Sequence, residues 1–495
     1  MRHQAVRVIA AIIAATLMAS GVAAAAPATG VWTAVGPTAP ALFGPGNLNW
    51  VRGSKVGPDG RLYMYGWFVD AGGDPTADNL AVYDPAVGSW HGLGSNGLGD
   101  GAFSSDVMDV AWLNGTLVVA GSFTTVAGVK GIDTVTAWNG SSWTRVGAIN
   151  DGLPGAWVNS LAVRNGVLYA GGKFDNADGV ATADNIAAWD GYHWTGLGSN
   201  DGGGGPLNDT VYVVRALADG RIFAGGRFTS AAGILQAQHI AWWDGAMWHA
   251  VGDSGAGALS GNVWDILVMG SHLYASGEFT DAGGNASADY VAQWTGTGWA
   301  SLGQGIQNAL GATVASLDAY GSIVIAAGLF PGAVGVANTD HVAAWNGTKW
   351  LSVGTALGGG PFNEMFDGRV SGRAVYVAGD LPDMGGVAGL DGFAAGGLPA
   401  APSAPRFVKT TAGTRRVSLA WVAPLTTNGA AITGYVVQYR RFGTTAWRTF
   451  ADGVRTTRTA VVTGLAAGIT YQFRVRAQND WGTGLPSTVV TKRAG

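Results

Sequence analysis

Most of the residues that could perform acid–base or metal chemistry in this 495-residue chain are aspartates, and they recur at a regular spacing. One aspartate stands just before a short apolar stretch in nearly every repeat, and the series comprises Asp78, Asp133, Asp184, Asp289, Asp340 and Asp391. A carboxylate at a fixed position of a repeat most simply accepts hydrogen bonds from loop N–H groups. We therefore assign this series to strand capping and not to a ring of metal ligands.

Three other polar patterns resemble functional sites only superficially. Asp175–Gly179 (DNADG) is similar to a calcium-binding loop but lacks the downstream glutamate. Gly252–Gly255 (GDSG) is similar to a serine-protease loop, yet no histidine pattern accompanies it. His239 and His341 share one register position with asparagines in other repeats, which favours polar residues at strand starts over a metal pair. We expect no bound metal and no cofactor.

Cysteine is absent from the sequence, and glutamate is nearly absent. The lack of cysteine excludes disulfides, thiolate metal sites and cysteine nucleophiles. A glycoside hydrolase usually needs a pair of carboxylates, which aspartates could supply. The two that we single out as catalytic candidates are Asp109 and Asp265, because they lie near aromatic residues that suit a ligand.

Aromatic residues that interrupt the repeat are the candidates for ligand binding. The predicted binding set, which stands at or near the start of inner strands after Gly-rich connections, is Trp50, Trp157, Tyr212, Arg215 and Trp264. Aromatic faces beside charged groups suit stacking on sugar rings. The alternative is that these rings only fill interior space as packing.

The elements that must position these residues are seven similar units. A Gly-x-Phe frame recurs at intervals of 51 to 55 residues, with its aromatic residue at Phe68, Phe123, Phe174, Phe228, Phe279 and Phe330 and a weaker seventh copy at Gly379 and Leu381. A Trp-x-x-(Leu/Val)-Gly element follows six frames, beginning at Trp90, Trp143, Trp194, Trp248, Trp299 and Trp350. Asx-Gly pairs such as Asp190-Gly191 mark hairpin turns. Each unit is therefore predicted to contain four short strands.

The glycine doublet Gly171-Gly172 and the turn Trp189-Asp190-Gly191 resemble those of kelch-type β-propellers. The resemblance covers residues 31–398 and implies a seven-bladed β-propeller, whose long connections open on one face around a central channel. The seventh unit lacks a fourth strand, and Val31–Gly36 has the missing Trp-x-x-Val-Gly pattern, so we expect this N-terminal strand to close the last blade. Such propellers include enzymes, adhesins and scaffolds, so the resemblance implies a fold and not an activity.

A different pattern follows a Gly/Pro/Ala linker at residues 399–405. Residues 406–493 resemble a fibronectin type III domain, an immunoglobulin-like β-sandwich. The resemblance implies that Trp421 anchors the core and that Tyr471 is the tyrosine-corner residue. The fold class expected for the chain is all-β throughout.

Charge separates the two modules. From Ala401 onward, 13 Lys and Arg stand against 2 Asp, a net charge of +11, whereas residues 27–400 carry a net charge of −17. The arginines on or beside the later strands are Arg440, Arg441, Arg448, Arg455, Arg458, Arg474 and Arg476. They are either ordinary solvated faces or a strip that contacts an anionic polymer or the chain's own first module.

Residues 1–26 have the pattern of a secretory signal peptide, with a basic start, an apolar run and an Ala-x-Ala exit before Pro27. No later stretch reaches the roughly 18 apolar residues of a membrane span. We therefore expect an exported, extracellular monomer, either free or associated with the cell wall. We expect no nucleic-acid partner and no integral membrane segment.

These observations favour a secreted or cell-surface, non-catalytic binding protein. Its expected partner is a glycan, a cell-wall polymer or a surface protein, recognised through the loop-rich face of the first module. The alternative is an extracellular glycosidase or polysaccharide lyase with a type III accessory module. The alternative rests on resemblance to exported hydrolases that carry such modules, since no residue pattern marks a catalytic pair.

Overall fold

The computed structural model describes residues 29, 31–35, 50–149, 155–200, 202–252, 259–307, 309, 311–355, 357, 365–379, 384 and 392–495. The predicted signal peptide at residues 1–26 lies outside these ranges. The chain divides into two compact units, Val31–Gly396 and Gly397–Gly495. Among the described residues, none of the helices is long and apolar enough to cross a membrane.

The first unit consists of seven four-stranded antiparallel sheets, numbered 1 to 7 in chain order. The N-terminal strand, β1 (Trp32–Thr33), belongs to sheet 7. Sheet 1 holds β2 (Trp50–Val56), β3 (Leu62–Trp67), β4 (Leu80–Asp84) and β5 (Ser89–Gly92). Sheet 2 holds β6 (Val107–Leu113), β7 (Thr116–Gly121), β10 (Val135–Trp138) and β11 (Trp143–Arg145), and a two-stranded ribbon, β8 (Thr125–Val126) and β9 (Val129–Lys130), interrupts it.

The next five sheets repeat this order. Sheet 3 holds β12 (Trp157–Arg164), β13 (Val167–Lys173), β14 (Ile186–Trp189) and β15 (Trp194–Gly196). Sheet 4 holds β16 (Val211–Ala216), β17 (Ile222–Gly226), β18 (Ile240–Trp243) and β19 (Trp248–Ala250). Sheet 5 holds β20 (Val263–Met269), β21 (His272–Gly277), β22 (Val291–Trp294) and β23 (Trp299–Ser301). Sheet 6 holds β24 (Ser316–Tyr320), β25 (Ile323–Ala327), β26 (Val342–Trp345) and β27 (Trp350–Ser352). Sheet 7 holds β28 (Met365–Ser371), β29 (Ala374–Gly379), β30 (Phe393–Gly397) and β1. Single-turn 3-10 helices lie at Ala71–Gly73, Ala177–Gly179 and Ala282–Gly284.

Short polar contacts explain why each repeat folds into a four-stranded sheet. At the hairpin of sheet 3, Asp190 Oδ1 accepts the N–H groups of Tyr192 (2.7 Å) and His193 (2.8 Å), while Gly191 adopts a left-handed φ of 108°. Before the third strand, Asp184 accepts the N–H groups of Asn176 (2.7 Å) and Gly205 (2.8 Å). The recurring carboxylate thus ties two loops to the strand start, as expected for a cap.

Apolar cores lie between the faces of consecutive sheets, and another lies between sheets 1 and 7. The aromatic residue of the Gly-x-Phe frame is buried in six repeats. In six sheets, the fourth-strand indole N–H donates to a backbone carbonyl of the preceding sheet, with sheet 1 donating to sheet 7. The donors are Trp32, Trp90, Trp143, Trp194, Trp248 and Trp350. These hydrogen bonds hold the side chains of the repeated tryptophans in place.

This architecture corrects the fold class predicted for residues 31–398. The described residues form many small, separate four-stranded sheets, none of which closes on itself, and no strand ladder among them runs from one sheet into the next. The assignment to a kelch-like seven-bladed β-propeller is therefore not retained. The physical reason is that the periodic pattern of a repeat of about 50 residues specifies the strands within one sheet and does not by itself specify how separate sheets are arranged.

The second unit is a two-sheet sandwich. One sheet holds β31 (Arg406–Gly413), β32 (Arg416–Val422) and β35 (Thr459–Val462). The other holds β33 (Gly434–Arg441), β34 (Arg448–Thr449), β36 (Thr470–Asn479) and β37 (Gly482–Pro486), with β38 (Val490–Arg493) paired to β36. Trp421 is buried edge-on to Tyr435, with 5.3 Å between ring centroids. The Tyr471 hydroxyl accepts the N–H of Ala466 (3.1 Å), so it ties a loop to β36 as expected of a tyrosine corner.

The contact of β1 with sheet 7 gives the first prediction. Trp32 pairs with Gly396, is 3% exposed, and donates its indole N–H to the Thr355 carbonyl at 3.0 Å. We expect Trp32→Ala to destabilise the first unit by about 3–5 kcal/mol, as is typical of a large aromatic removed from a core. Thermal unfolding measures this loss. Val31→Ala is the matched control because Val31 is 49% exposed, and equal melting temperatures for Trp32→Ala and wild type would contradict the role of β1.

His341, which is buried, and His239, which is half-buried, give a pH prediction. His239 and His341 adopt left-handed φ angles of 62° and 61°, the conformation of Asn79 and Asn185 at the same position, and burial lowers the pKa of both imidazoles. Because the pKa of each imidazole is lower in the folded state than its unfolded value near 6.5, the unfolded state binds protons first as the pH falls. The stability present above about pH 6.5 is therefore lost as the pH falls below that value toward the folded pKa. We expect His239→Asn/His341→Asn to lose less stability than wild type between pH 7.5 and 5.5 in urea unfolding. Equal losses would contradict this assignment.

Candidate ligand-binding cavity

The first strands of all seven sheets line one cavity of about 680 Å³. They are β2, β6, β12, β16, β20, β24 and β28. The cavity wall combines aromatic rings, guanidinium groups and carboxylates. Its chemistry therefore depends on which side chain each first strand directs inward.

A β-bulge occurs in six of these first strands, and the unpaired residue of each bulge lines the cavity. These residues are Arg52, Met108, Asn159, Tyr212, Trp264 and Phe366. A bulge disrupts the ladder locally and can re-aim one side chain without changing the rest of the sheet. The six side chains differ in type although the surrounding sequence repeats. Each of these six sheets thus contributes a different side chain to the cavity, and the same backbone feature, a β-bulge, positions all six.

The residue directly after the bulge joins neighbouring sheets, and Ser316 has the same role in β24, whose ladder has no bulge. Asp109 Oδ2 accepts the N–H of Leu161 in sheet 3 at 2.8 Å. Equivalent bonds run from Val214 N–H to Ser160 Oγ (3.1 Å), from Leu317 to Asp265 (3.0 Å), from Gly368 to Ser316 (3.2 Å) and from Ser54 to Asp367 (3.3 Å). The last of these connects sheet 7 to sheet 1. We call these five acceptors the clasp residues.

Two sheets lack a polar clasp residue, because Gly53 and Val213 occupy the position. In both, a cation two residues later bridges to the next sheet. Lys55 Nζ donates to Asp109 Oδ1 (2.5 Å) and to the Val110 carbonyl (2.7 Å). Arg215 pairs with Asp265 and donates Nε–H to the Ile266 carbonyl at 3.0 Å. Every first strand is thereby tied to its neighbour by a polar side chain.

Burial shifts the pKa values of several groups that line the cavity. Burial raises the pKa of the Asp367 carboxyl, and Arg369, at 2.8 Å, partly opposes this shift. Burial alone would lower the pKa of the Arg369 guanidinium, but the surrounding carboxylates Asp367, Asp265 and Asp318 raise it well above its usual range. Burial, followed by the nearby Asp109 and Asp367, also raises the pKa of Tyr65. The Tyr65 phenol therefore stays protonated at neutral pH.

Most of the predicted site residues meet in this cavity. Trp50, Tyr212, Arg215 and Trp264 line it, as do both catalytic candidates, Asp109 and Asp265. The rings of Tyr212 and Trp264 stack with 4.3 Å between centroids and an interplanar angle of 5°. Trp50 is 37% exposed and packs edge-on against Trp67 at 6.1 Å.

Trp157 does not line the cavity. The ammonium group of Lys173, on the neighbouring strand, lies 5.1 Å from the centroid of its ring. Trp157 therefore makes a cation–π contact with a residue of its own sheet.

Both catalytic candidates are committed to structural contacts. Asp109 Oδ1 accepts from Lys55 and from the Val110 N–H, and Oδ2 accepts from Leu161. Asp265 Oδ1 accepts from Ile266 N–H and Arg215, and Oδ2 accepts from Leu317 N–H, with Arg369 3.4 Å away. Each carboxylate is held as an acceptor from several sides, which suits a clasp better than proton transfer to a ligand. In the described part of the chain, His, Asp and Glu form no three-residue group that could hold a metal ion.

Sequence reasoning missed several residues of the cavity, namely Arg52, Met108, Asn159, Phe366, Asp367 and Arg369. The available signal was the short pattern of each first strand, in which a buried Val or Met precedes the unpaired residue. Aligning the repeats on that residue would have placed Arg52, Met108, Asn159 and Phe366 beside Tyr212 and Trp264. A bulge has no fixed residue type when it is not glycine, so composition alone could not reveal it.

The clasp predicts a stability effect at a residue that could be mistaken for a catalytic one. We expect Asp265→Asn to destabilise the first unit by about 3 kcal/mol, because Asp265 is buried and the partly exposed Arg215 and Arg369 both lose its charge. Asp219→Asn is the matched control, since the Asp219–Arg221 pair at 2.8 Å is exposed and worth about 0–1 kcal/mol. Urea unfolding of both variants makes the comparison. Equal, small effects would show that Asp265 is not a structural acceptor.

Comparison with known proteins identifies one part of the chain. Residues 400–493 match the family model described as fibronectin type III domain. The curated relatives include Roundabout homolog 3 from Homo sapiens, 39% identical over 92 residues, which are 18% of this chain and 6% of that protein. They also include striated-muscle M-protein from Gallus gallus, 38% identical over 87 residues (17% and 6%). A third, from Homo sapiens, is cell adhesion molecule-related/down-regulated by oncogenes, 34% identical over 104 residues (21% and 8%).

Solved structures give a similar result over a small share of the chain. The titin kinase with its flanking domains is 29% identical with a TM-score of 0.18, covering 19% of this chain and 17% of that one. The twitchin kinase region from C. elegans is 24% identical with a TM-score of 0.18 and the same two coverages. The chain spans less than a tenth of the length of the curated relatives named here, and the kelch resemblance gains no support from these comparisons. Residues 400–493 are a fibronectin type III domain.

Proposed function

We propose that the protein is an exported, non-catalytic binding protein whose first unit recognises a carbohydrate in the cavity of the first strands. One observation carries the proposal. The side chains placed by the bulges line the cavity and differ from sheet to sheet, whereas the clasp residues beside them bond the next sheet. Two of the bulge side chains are also held by the protein, since Arg52 pairs with Asp106 and Asn159 donates to the Val211 carbonyl. The cavity thus presents recognition groups on a fixed frame.

The composition of the cavity favours a sugar polymer among possible ligands. Ligand sites combine apolar or aromatic surfaces with a few oriented polar groups. Here the parallel Tyr212–Trp264 pair offers a flat aromatic surface, and Asn159 and Arg52 add polar groups at other bulges. Sugars present both apolar ring faces and hydroxyl groups, which match these two features.

Export and surface attachment belong to the same proposal. The signal-peptide pattern at residues 1–26 supports secretion, and the relatives of the type III domain include a protein named as adhesion-related. We propose a monomer that acts outside the cell, with a glycan or cell-wall polymer as its partner. A surface protein is the other outcome that the experiment below can reveal.

The glycosidase alternative finds less support in the cavity. General acid–base catalysis on a sugar requires a carboxyl group that can reach the glycosidic oxygen and exchange a proton. Asp109 and Asp265 are nearly buried and hold backbone N–H groups and cations of the protein. We therefore propose binding without turnover.

Aromatic truncation tests the proposal. Full-length protein is run by affinity electrophoresis against a panel of neutral and acidic polysaccharides, and the reaction is assayed for new reducing ends. We expect Trp264→Ala and Tyr212→Ala to weaken retention on the bound polysaccharide at least tenfold, since a central aromatic anchor contributes about 2 kcal/mol or more. Tyr192→Ala is the matched control because that ring is 80% exposed on a hairpin turn.

Two results would contradict the proposal. Release of reducing ends by the wild type would show turnover and support the glycosidase alternative. Retention unchanged in both Trp264→Ala and Tyr212→Ala, with melting temperatures near that of the wild type, would place the binding surface elsewhere or indicate a protein partner.

A further inference from the structure

The fibronectin type III domain carries a row of arginines on the outer face of its larger sheet. Tyr471, Phe473, Val475 and Ala477 of β36 are buried in the core, so the alternate residues point away from it. We propose that Arg440, Arg474 and Arg476, arranged around Trp447, bind a linear anionic polysaccharide. This arginine row is distinct from the cavity of the first unit, and its assignment does not depend on the proposed function of that cavity.

Hydrogen bonds hold the three guanidinium groups in place. Arg476 donates Nε–H to the Gly484 carbonyl at 2.8 Å, and Arg440 donates Nη1–H to the Thr445 carbonyl at 3.1 Å. The register sets Arg440 opposite Gln472 and Gln438 opposite Arg474 on the paired strands β33 and β36. Arg440 Nε donates to Gln472 Oε1 and Arg474 Nε donates to Gln438 Oε1, each at 2.8 Å. The bond of Arg474 uses only Nε, and no hydrogen bond from its outer N–H groups to another described residue is found. A bidentate contact with a carboxylate or phosphate would use those groups.

Trp447 orients two members of the row. The guanidinium carbon of Arg440 lies 4.5 Å from the centroid of its ring, and that of Arg474 lies 4.2 Å away. Both distances are within the range of a cation–π contact. The indole thus packs against two cations that would otherwise be mobile, which reduces the entropy lost when a ligand binds.

The row has no acidic counterpart. None of the ion pairs among the described residues involves Arg440, Arg474 or Arg476, although ion pairs are common in the first unit. Burial, and then repulsion from Arg476 and Arg440, lowers the pKa of Arg474. Like charges held together without a counter-charge destabilise one another, and an anion placed between them would remove that repulsion.

The spacing of the row favours a polymer over a single ion. Arg474 and Arg476 are two residues apart on one strand and so lie about 7 Å from each other, while Arg440 is a diagonal neighbour on the adjacent strand. A chain with repeating acidic groups can contact all three cations, whereas one ion contacts fewer. The ring of Trp447 is already occupied by two guanidiniums, so it offers little stacking surface for the bases of a single-stranded nucleic acid.

Binding of full-length protein to polygalacturonate, a linear polymer of carboxylated sugars, tests the inference. Its methyl-esterified form serves as the uncharged probe. We expect Arg440→Gln/Arg474→Gln to weaken binding to polygalacturonate at least tenfold at low salt. Arg416→Gln/Arg455→Gln, which removes two exposed arginines from elsewhere in the domain, is the matched charge control, with an expected effect below threefold.

The outcomes distinguish binding by the arginine row from non-specific attraction by the net charge of the domain. Equal weakening by the two double variants would overturn the inference, because net charge alone would then explain binding. Equal affinity of the wild type for the esterified polymer, or tighter binding to single-stranded DNA of the same charge, would also overturn it. Loss of polygalacturonate binding in Arg440→Gln/Arg474→Gln with unchanged retention by the cavity ligand would support it independently of the cavity.

Discussion

The first unit depends on one kind of contact, in which a side chain on the first strand of one sheet accepts an N–H group from the first strand of the next. Asp109, Ser160, Asp265, Ser316 and Asp367 make this contact. In the part of the chain that the structure describes, the seven sheets share no ladder, so buried backbone N–H groups on their first strands would otherwise lack acceptors. These side chains satisfy the N–H groups and at the same time set the distance between sheets.

The two sheets that lack a polar clasp residue are also joined to the next sheet by a side chain. Where glycine or valine occupies the clasp position, Lys55 or Arg215 reaches the next sheet instead and pairs with an aspartate there. Tyr65 lies beside Gly53, and a side chain at that glycine would collide with its hydroxyl. Gly53 and Tyr65 therefore act as a pair, in which the large residue on β3 occupies the space that a clasp residue fills in other sheets. The charged groups of the cavity are in this way largely structural.

The bulge gives two consecutive residues different roles. The unpaired residue faces the cavity and can vary, because the ladder does not use it, while the next residue holds the neighbouring sheet. Trp264 and Asp265 show the division in its simplest form. The type III domain carries its charge differently, since the arginines around Trp447 are oriented by glutamine side chains and an indole but lack acidic partners.

The repeat specified local structure well and long-range structure poorly. Asx-Gly turns, the Gly-x-Phe frame and the fourth-strand tryptophans have fixed chemical roles within about 50 residues, so each four-stranded sheet could be predicted from them. Tyr212, Arg215 and Trp264 could be found because they interrupt the repeat near strand starts. Arg52, Met108 and Phe366 were missed, since a bulge depends on the register of two strands and leaves no mark on composition, and only an alignment of the repeated first strands would place them in the cavity. Trp157 does not line the cavity, and its contact with Lys173 depends on the pairing of β12 with β13, which the sequence alone does not show.

The division between bulge and clasp residues is tested most directly by one set of unfolding measurements on neighbouring residues. Free energies of unfolding in urea would be measured for Met108→Ala and Asp109→Ala, and likewise for Phe366→Ala and Asp367→Ala. We predict that the clasp variant of each pair loses several times more stability than its bulge neighbour, because only the clasp residue bonds the next sheet. Equal losses within both pairs would contradict the division and with it the assignment of the bulge side chains to ligand recognition.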